Sequence, residues 1–496
     1  MLFSLDEIVA ATRGVLVAPG KPGALASGVT WDWREVSLGD AYLALPGARV
    51  DGHDFVLSAC ESGAACVLVS RELDADTMAK LGAAACAVIR VDDPNVAIVD
   101  LAREWRGCLS GTVLGITGSS GKTTTKNLVR DVLARGMEVV ATKANQNNEL
   151  GVPRTLLAAD EATDAVVVEM GMRGMGQIAS LSEYVRPDMG LITNVGTSHI
   201  ELLGSRENIA LAKGELFDAL PAGGIAFINA ADDYTPFLLK ELQLHDRGIR
   251  TVFFDGSGSL VRSRGLGIWQ NADPFVWAED IEYDELARPT FTIRARHFAE
   301  MGLPEADADA TCTLALSGAH NISNACSAAA VGLAFGLSLE QCCLALAEAK
   351  PEHGRQEMRE TPAGVHVVDD SYNANPDSTR AALDTFARMF AGSRRIAVLG
   401  DMLELGDYAQ EGHQIVGKRA AECALDLLVC VGEESRAIAA AAREAGMPAD
   451  KIKELNTADD AAVLLRDVAQ PGDAVLVKAS HSMGLARVVE ELMVSC

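Results

Sequence analysis

Lys122 and Thr123 follow directly on Gly118-Ser119-Ser120-Gly121. Glycines flanking two serines turn successive backbone N–H groups toward one point, and a helix beginning there adds partial positive charge. The lysine reaches outer phosphates, and the threonine hydroxyl suits Mg²⁺. Gly118, Ser119, Ser120, Gly121, Lys122, Thr123 and Thr124 together read as a cradle for a nucleoside triphosphate. The stretch is not the widespread phosphate loop, because Ile116 stands where that loop has its first glycine. A chance Gly-rich turn is the competing reading. The strand-like Thr112–Thr117 before it favours nucleotide binding, as does the helical spacing of Leu128, Val129, Val132 and Leu133 after it.

Two further residues sit where strands of a parallel sheet should end, the usual place for ligands. Glu169 closes the apolar run Ala165–Val168, where a carboxylate could hold Mg²⁺, although such a glutamate is more often a solvated terminus. His199 follows Asn194-Val195-Gly196-Thr197-Ser198 after the next apolar run. No Asn-Lys-x-Asp segment marks the chain as selective for guanine.

These residues need elements to position them. The 496 residues are too many for one ordinary core and predict about three domains. We divide the chain at 1–110, 111–350 and 351–496. The first segment mixes the strand-like Ala41–Leu45, Cys66–Val69 and Cys86–Ile89 with turns, after a short amphipathic helix near the N-terminus. In the second, apolar strands at Thr112–Thr117, Ala165–Glu169, Gly190–Asn194 and Gly224–Asn229 alternate with helices, which argues for a parallel sheet covered on both faces. A polar, strand-like stretch over 255–315 precedes a long Ala-rich helix predicted from near Asn321 toward Ala349. Pro351 and Gly354 mark the next boundary. Strands at 365–368, 395–399, 427–431 and 474–477 then suggest a Rossmann-like module. The fold class is α/β, with a small N-terminal unit, a central phosphate-loop sheet and a C-terminal Rossmann-like unit.

A net charge of −26 disfavours a polyanionic partner, so an anionic substrate must meet local cations and helix ends. The eleven cysteines show no zinc spacing and read as thiols of a reducing compartment. No apolar run reaches the length of a membrane span, and the N-terminus lacks a signal-peptide pattern. The expectation is a cytoplasmic monomer.

Several longer stretches carry a resemblance. They are Gly118–Thr123, Asn145–Pro153, Asn194–Glu201, Ala212–Glu215, Gly318–Ala325, Asp369–Pro376 and Leu399–Gly406. In this order, over nearly the whole chain, they resemble the Mur ligases of peptidoglycan synthesis, whose phosphate loop has the shorter Gly-Ser-x-Gly-Lys-Thr form. Asp51-Gly52-His53-Asp54-Phe55 and Tyr372-Asn373-Ala374-Asn375-Pro376 favour the member that joins D-alanyl-D-alanine to UDP-N-acetylmuramoyl-tripeptide.

The resemblance implies ATP-driven amide formation through an acyl phosphate, with Mg²⁺ as cofactor. It implies that Thr123 and Glu169 are metal ligands, that His199 holds a second metal, and that Lys213 is carbamylated and joins the metal site. On physics alone Lys213 reads as a solvated helix lysine. Lys122, Glu169, His199 and Lys213 are the implied catalytic group. Asn229 and Asn324 face adenine or simply cap helices. Asp370 contacts the ribose as the third domain closes, and Arg355 meets the phosphates. Substrate contacts fall to Asp32, Arg34, Asp51, His53 and Asn147, and to Asn373 and Asn375 on the closing domain.

Three positions depart from the family pattern. Trp33 replaces a small hydroxyl residue and either stacks on uracil or fills the pocket. Ala144 stands where glycine is common, and His481 replaces an arginine whose bidentate fork it cannot copy. The alternatives are a sister ligase adding a single amino acid, and a catalytically idle ATP-binding homologue.

Overall fold

The computed structural model describes residues 2–47, 50–269, 273–301 and 307–495. Three larger sheets organise it, beside a two-stranded pair of Phe3–Ser4 with Leu25–Ala26. The first has five strands in the order Val15–Ala18, Ala87–Arg90, Cys66–Val69, Ala41–Leu43 and Val29–Thr30. All its pairings are parallel except the first. The N-terminal helix is Leu5–Thr12, begun by a capping box in which Ser4 and Glu7 satisfy each other's backbone N–H.

The central sheet has nine strands. The phosphate-loop strand Thr112–Thr117 lies between Ala165–Glu169 and Met189–Ile192, parallel to both. Ile225–Asn229 and Arg250–Asp255 extend the parallel part. Phe275–Tyr283 is also parallel to its inner neighbour, and Pro289–Arg296 and Ala308–Thr313 complete the edge as antiparallel strands. Alternate residues of a strand go to opposite layers: Val113, Val166 and Val168 join one core, while Leu114, Ile116 and Val167 join the other. Burial on both faces explains why these strands read as unbroken apolar runs. The first of these cores continues into the N-terminal sheet through Trp105, Ile98, Leu68 and Ile89.

One expected element is corrected. The Ala-rich helix is two helices, His320–Ala334 and Leu339–Ala347. Gly336 takes φ 88° after the first, and Ser338 with Gln341 forms a capping box that starts the second. Both are stop and start signals that outweigh alanine's propensity.

The third sheet runs Glu357–Glu360, His366–Asp369, Ala474–Lys478, Arg395–Gly400, Leu427–Val431 and Ile452–Leu455. Only the pairing of Glu357–Glu360 with His366–Asp369 is antiparallel. It too is covered on both faces, with Leu399 and Cys430 in one layer and Val398 and Val429 in the other. Among the described residues no helix is long and apolar enough to cross a membrane.

Candidate active site

The chain leaves Thr112–Thr117, passes through the outer strand Val139–Ala141, and returns to form Ala165–Glu169 on one side of it. It then crosses to Met189–Ile192 on the other. The carboxyl ends on either side of such a reversal diverge and leave a crevice. A cavity of about 1830 Å³ opens there. It exceeds the ~300–1,000 Å³ typical of small-molecule pockets and so has room for more than one ligand.

Gly121 caps the helix Lys122–Leu133 with φ 79°, and a side chain at that position would lie 2.8 Å from Asn324 Oδ1. A Cβ on Gly118 would lie 1.8 Å from Thr193 Oγ1, so the loop can pass here only as glycine. The loop is also tied to the neighbouring strand end. Ser119 N–H donates to the Asn194 carbonyl at 3.0 Å and Ser120 N–H to Asn194 Oδ1 at 3.0 Å. Thr193 Oγ1 donates to the Ser120 carbonyl at 2.6 Å. Lys122 Nζ lies against the Gly118 carbonyl at 2.7 Å. Burial lowers the lysine's pKa, nearby Glu169 opposes that, and Arg355 adds to it.

Glu169 is 1% exposed. Its Oε1 accepts from Thr123 Oγ1 at 3.1 Å and from Asn147 Nδ2 at 2.8 Å. Its Oε2 is buried without a hydrogen-bond partner. A buried carboxylate oxygen left alone costs free energy, and a hard cation is the partner that suits it. Asn147, expected to touch substrate, lines the cavity and also aims Glu169. Its loop is held by Lys126, whose Nζ donates to the Ala144 carbonyl at 3.2 Å. Ala144 itself takes φ 45°, which explains why glycine suits that position.

Lys213 is 1% exposed, which overturns its reading as a solvated lysine. Its helix Arg206–Asp218 is buried on most sides, through Ile209, Ala210, Ala212, Gly214, Leu216 and Phe217. Burial first, then the charge of Lys122, holds its pKa well below the ordinary lysine value, and no carboxylate acts to restore it. His199 Nδ1 donates to Glu404 Oε2 at 2.5 Å. Burial pushes the His199 pKa down, with Glu404 opposing and Lys122 and Lys213 reinforcing.

The C-terminal unit supplies the opposite wall. Asn375, capping the helix Pro376–Phe386, donates to Ser198 Oγ at 2.7 Å and to Ser120 Oγ at 3.3 Å. Asp377 accepts from Thr197 N–H at 3.3 Å. Asp370 is ion-paired with Lys478 at 2.8 Å, and Lys478 also donates to the Asn373 carbonyl at 2.8 Å. Burial raises the Asp370 pKa against the pull of Lys478. Arg355 lies 4.2 Å over the Tyr372 ring, with its Nε buried and unpartnered. Asn324 accepts from Thr125 Oγ1 at 3.2 Å, and Asn229 donates to the Thr193 carbonyl at 2.9 Å. Both asparagines line the cavity while making these internal bonds.

Ser119–Thr124, Asn147, Glu169, His199, Asn229, Asn324, Arg355, Asp370, Asn373 and Asn375 all line this one cavity. Gly118 and Lys213 are not among the residues that line it. Asp32, Arg34, Asp51 and His53 are not brought there. Asp32 pairs with Arg34 at 2.6 Å. Asp51 accepts from His53 Nδ1 at 2.7 Å, and His53 Nε2 accepts from Ser70 N–H at 3.0 Å. Trp33 is half-buried and stacks on Phe55 with centroids 6.2 Å apart. His53→Ala should lower the Tm, because it empties the space of a buried ring and removes the acceptor of the half-buried Ser70 N–H.

The sequence assigns no role to Glu404, which lies in the Leu399–Gly406 stretch, or to Lys478, three residues before His481. Neither can be recognised without its partner, and those partners come from distant stretches of chain.

The chain matches three family descriptions in sequence. They are the Mur ligase family catalytic domain over residues 26–106, the Mur ligase middle domain over 116–332, and the Mur ligase glutamate ligase domain over 354–481. A Mycobacterium tuberculosis protein named UDP-N-acetylmuramoyl-tripeptide--D-alanyl-D-alanine ligase is 39% identical, with 94% of this chain and 92% of that protein covered. The crystal structure of MurF from Acinetobacter baumannii superposes with a TM-score of 0.81 at 28% identity, covering 99% of each chain. That of MurF ligase from Thermotoga maritima in complex with ADP gives 0.72 at 28% identity, over 94% of this chain and 97% of that one. Matching family segments from residue 26 to 481, joined to a phosphate loop facing a buried acidic site, place this chain in the Mur ligase family.

Proposed function

We propose that the chain is an ATP-dependent carbon–nitrogen ligase that joins D-alanyl-D-alanine to UDP-N-acetylmuramoyl-tripeptide, forming the UDP-muramoyl-pentapeptide precursor of peptidoglycan. Near-full-length likeness to ligases of that name supports the substrate pair. The observation that carries the chemistry is Glu169, a buried carboxylate with one oxygen fixed by Thr123 and Asn147 and the other free.

A carboxylate is a poor electrophile. In the reaction, an oxygen of the tripeptide's terminal carboxylate attacks the γ-phosphorus of ATP and ADP leaves. The amine of D-alanyl-D-alanine then attacks the carbonyl carbon of the acyl phosphate. Phosphate departs with one former carboxylate oxygen, and the nitrogen loses a proton. Negative charge gathers on phosphoryl oxygens, so fixed donors and cations dominate catalysis. Backbone N–H groups of the Gly118–Thr123 loop and the Lys122 ammonium serve that end, and Arg355 offers an unpartnered N–H to the same cavity. We assign Asn229 and Asn324 to the adenine end and Asp370 to the ribose. Asn373 and Asn375 are assigned to substrate contacts made as the C-terminal domain closes. Excluding water keeps the acyl phosphate from hydrolysis.

The residues fit a divalent cation. Thr123 and Glu169 would hold Mg²⁺, and His199 with a carbamate on Lys213 would hold a second ion. Bound there, Mg²⁺ would neutralise charge on the transferring phosphoryl group. Burial lowers the Lys213 pKa and so favours the neutral amine, the form that reacts with carbon dioxide, which supports carbamylation of Lys213. We place the UDP end of the substrate at the N-terminal unit, near Asp32, Arg34, Asp51 and His53. The domain boundaries are assigned at 1–110, 111–350 and 351–496.

The test omits one substrate at a time. Phosphate release should require ATP, UDP-muramoyl-tripeptide and D-alanyl-D-alanine together. Release with a single free amino acid in place of the dipeptide would point to a sister activity, and no release at all to an idle ATP-binding protein.

A further inference from the structure

We propose that Glu404 is a positioning residue that the C-terminal domain lends to the central site, fixing the ring of His199. The pair joins residues 205 apart in sequence across the two domains at 2.5 Å. A carboxylate only accepts, so its contact with Nδ1 places the ring proton there and leaves the Nε2 lone pair free. Outer partners of this kind fix the tautomer and orientation of ligating histidines.

The Glu404 loop is built to hold that position. Met402 N–H donates to Nε2 of the fully buried His413 at 3.0 Å, and Leu403 N–H donates to Ser480 Oγ at 2.9 Å. Just before them, Asp401 accepts the N–H of Ser435 at 2.8 Å and of Glu433 at 3.2 Å. Arg173 approaches the other oxygen of Glu404, with Nε 3.5 Å from Oε1. Glu404 and His199 both occupy left-handed backbone, at φ 61° and 62°. Neither is glycine, and strain in both partners of one contact is the kind that persists where function holds it.

The same loop of the central domain, Thr197–His199, is also gripped by Asp377 and Asn375. The C-terminal domain therefore holds the His199 loop at three successive residues, Thr197, Ser198 and His199.

The catalytic consequence rests on the ligase reading, but the pairing does not. The experiment uses the full chain with ¹⁵N-labelled histidine, the His199 signal being identified by its loss in His199→Asn. The parent protein should show a neutral ring protonated at Nδ1. In Glu404→Ala the proton should move to Nε2, or the two forms should mix, and kcat should fall about 10–100-fold. Glu404→Gln keeps an acceptor oxygen, so it should retain the Nδ1 tautomer and fall several-fold less. An unchanged His199 signal in Glu404→Ala overturns the pairing whatever the turnover. A changed tautomer with parental kcat overturns the positioning role while leaving the ligase reading intact. If the parent enzyme forms no ligated product, the ligase reading fails, and the tautomer measurement still decides the pairing.

Discussion

Glu169→Gln should lower kcat by about 10³-fold or more while leaving the unliganded protein as stable as the parent, or more so. The two halves of this result have one cause. In the parent, Thr123 and Asn147 both donate to Oε1, and Oε2 is buried with nothing to accept from. Glutamine can keep the accepting oxygen, so the local fold survives. It removes a buried charge whose Oε2 has no hydrogen-bond donor and which only nearby lysines offset in the free protein. It equally removes the anionic oxygen that would bind a divalent cation, and several kcal/mol of transition-state stabilisation correspond to the loss in rate. A thermal melt without nucleotide or divalent cation, set beside turnover, separates this from simple unfolding. A variant that loses activity and melts much lower would contradict the account. The opposite movement of stability and activity is the signature of a site strained for function.

Lys213→Ala should also abolish most turnover, on the order of 10³-fold, with partial recovery on adding a short carboxylic acid. The carboxylate would replace the oxygens that a carbamate on the native side chain provides. The stability consequence has a definite sign. Burial and Lys122 hold the folded-state pKa of Lys213 well below the ordinary lysine value. Between that lowered pKa and about 10.4, the unfolded chain binds a proton the folded chain refuses. Stability attributable to this group therefore increases as pH rises through that window and is diminished below it. In protein freed of carbon dioxide, where the amine is unmodified, Lys213→Ala should flatten that slope when the protein is melted across a pH series. Mass spectrometry under native conditions would show the carbamate directly, whereas a bare amine in an active, nucleotide-bound enzyme would contradict it.

Local signals were the legible ones. The phosphate loop, its strand and its helix lie within Thr112–Leu133 and could be read from glycine spacing and apolar periodicity. Glu169 could be placed at a strand end because Ala165–Val168 is buried on both faces. Lys213 was harder. Flanked by Ala212 and Gly214 on a helix buried on most sides, it has no polar face to mark it as solvated, and only the resemblance pointed inward. The Ala-rich helix was overextended because alanine propensity was weighed above Gly336 and the Ser338–Gln341 cap. Glu404 was illegible for a different reason. Its partner lies on another domain, and no pattern along one strand or helix encodes a contact between loops of two units. Asp51 and His53 pair with each other, a contact two residues apart that their spacing allows but does not announce.

The central claim is that this cavity activates a carboxylate by moving the γ-phosphoryl group of ATP onto it. The most direct measurement supplies UDP-muramoyl-tripeptide labelled with oxygen-18 in the terminal carboxylate, together with ATP and D-alanyl-D-alanine. The account predicts one labelled oxygen in each phosphate released, matched by the loss of one from the ligated peptide. Unlabelled phosphate accompanying ligated product would contradict it.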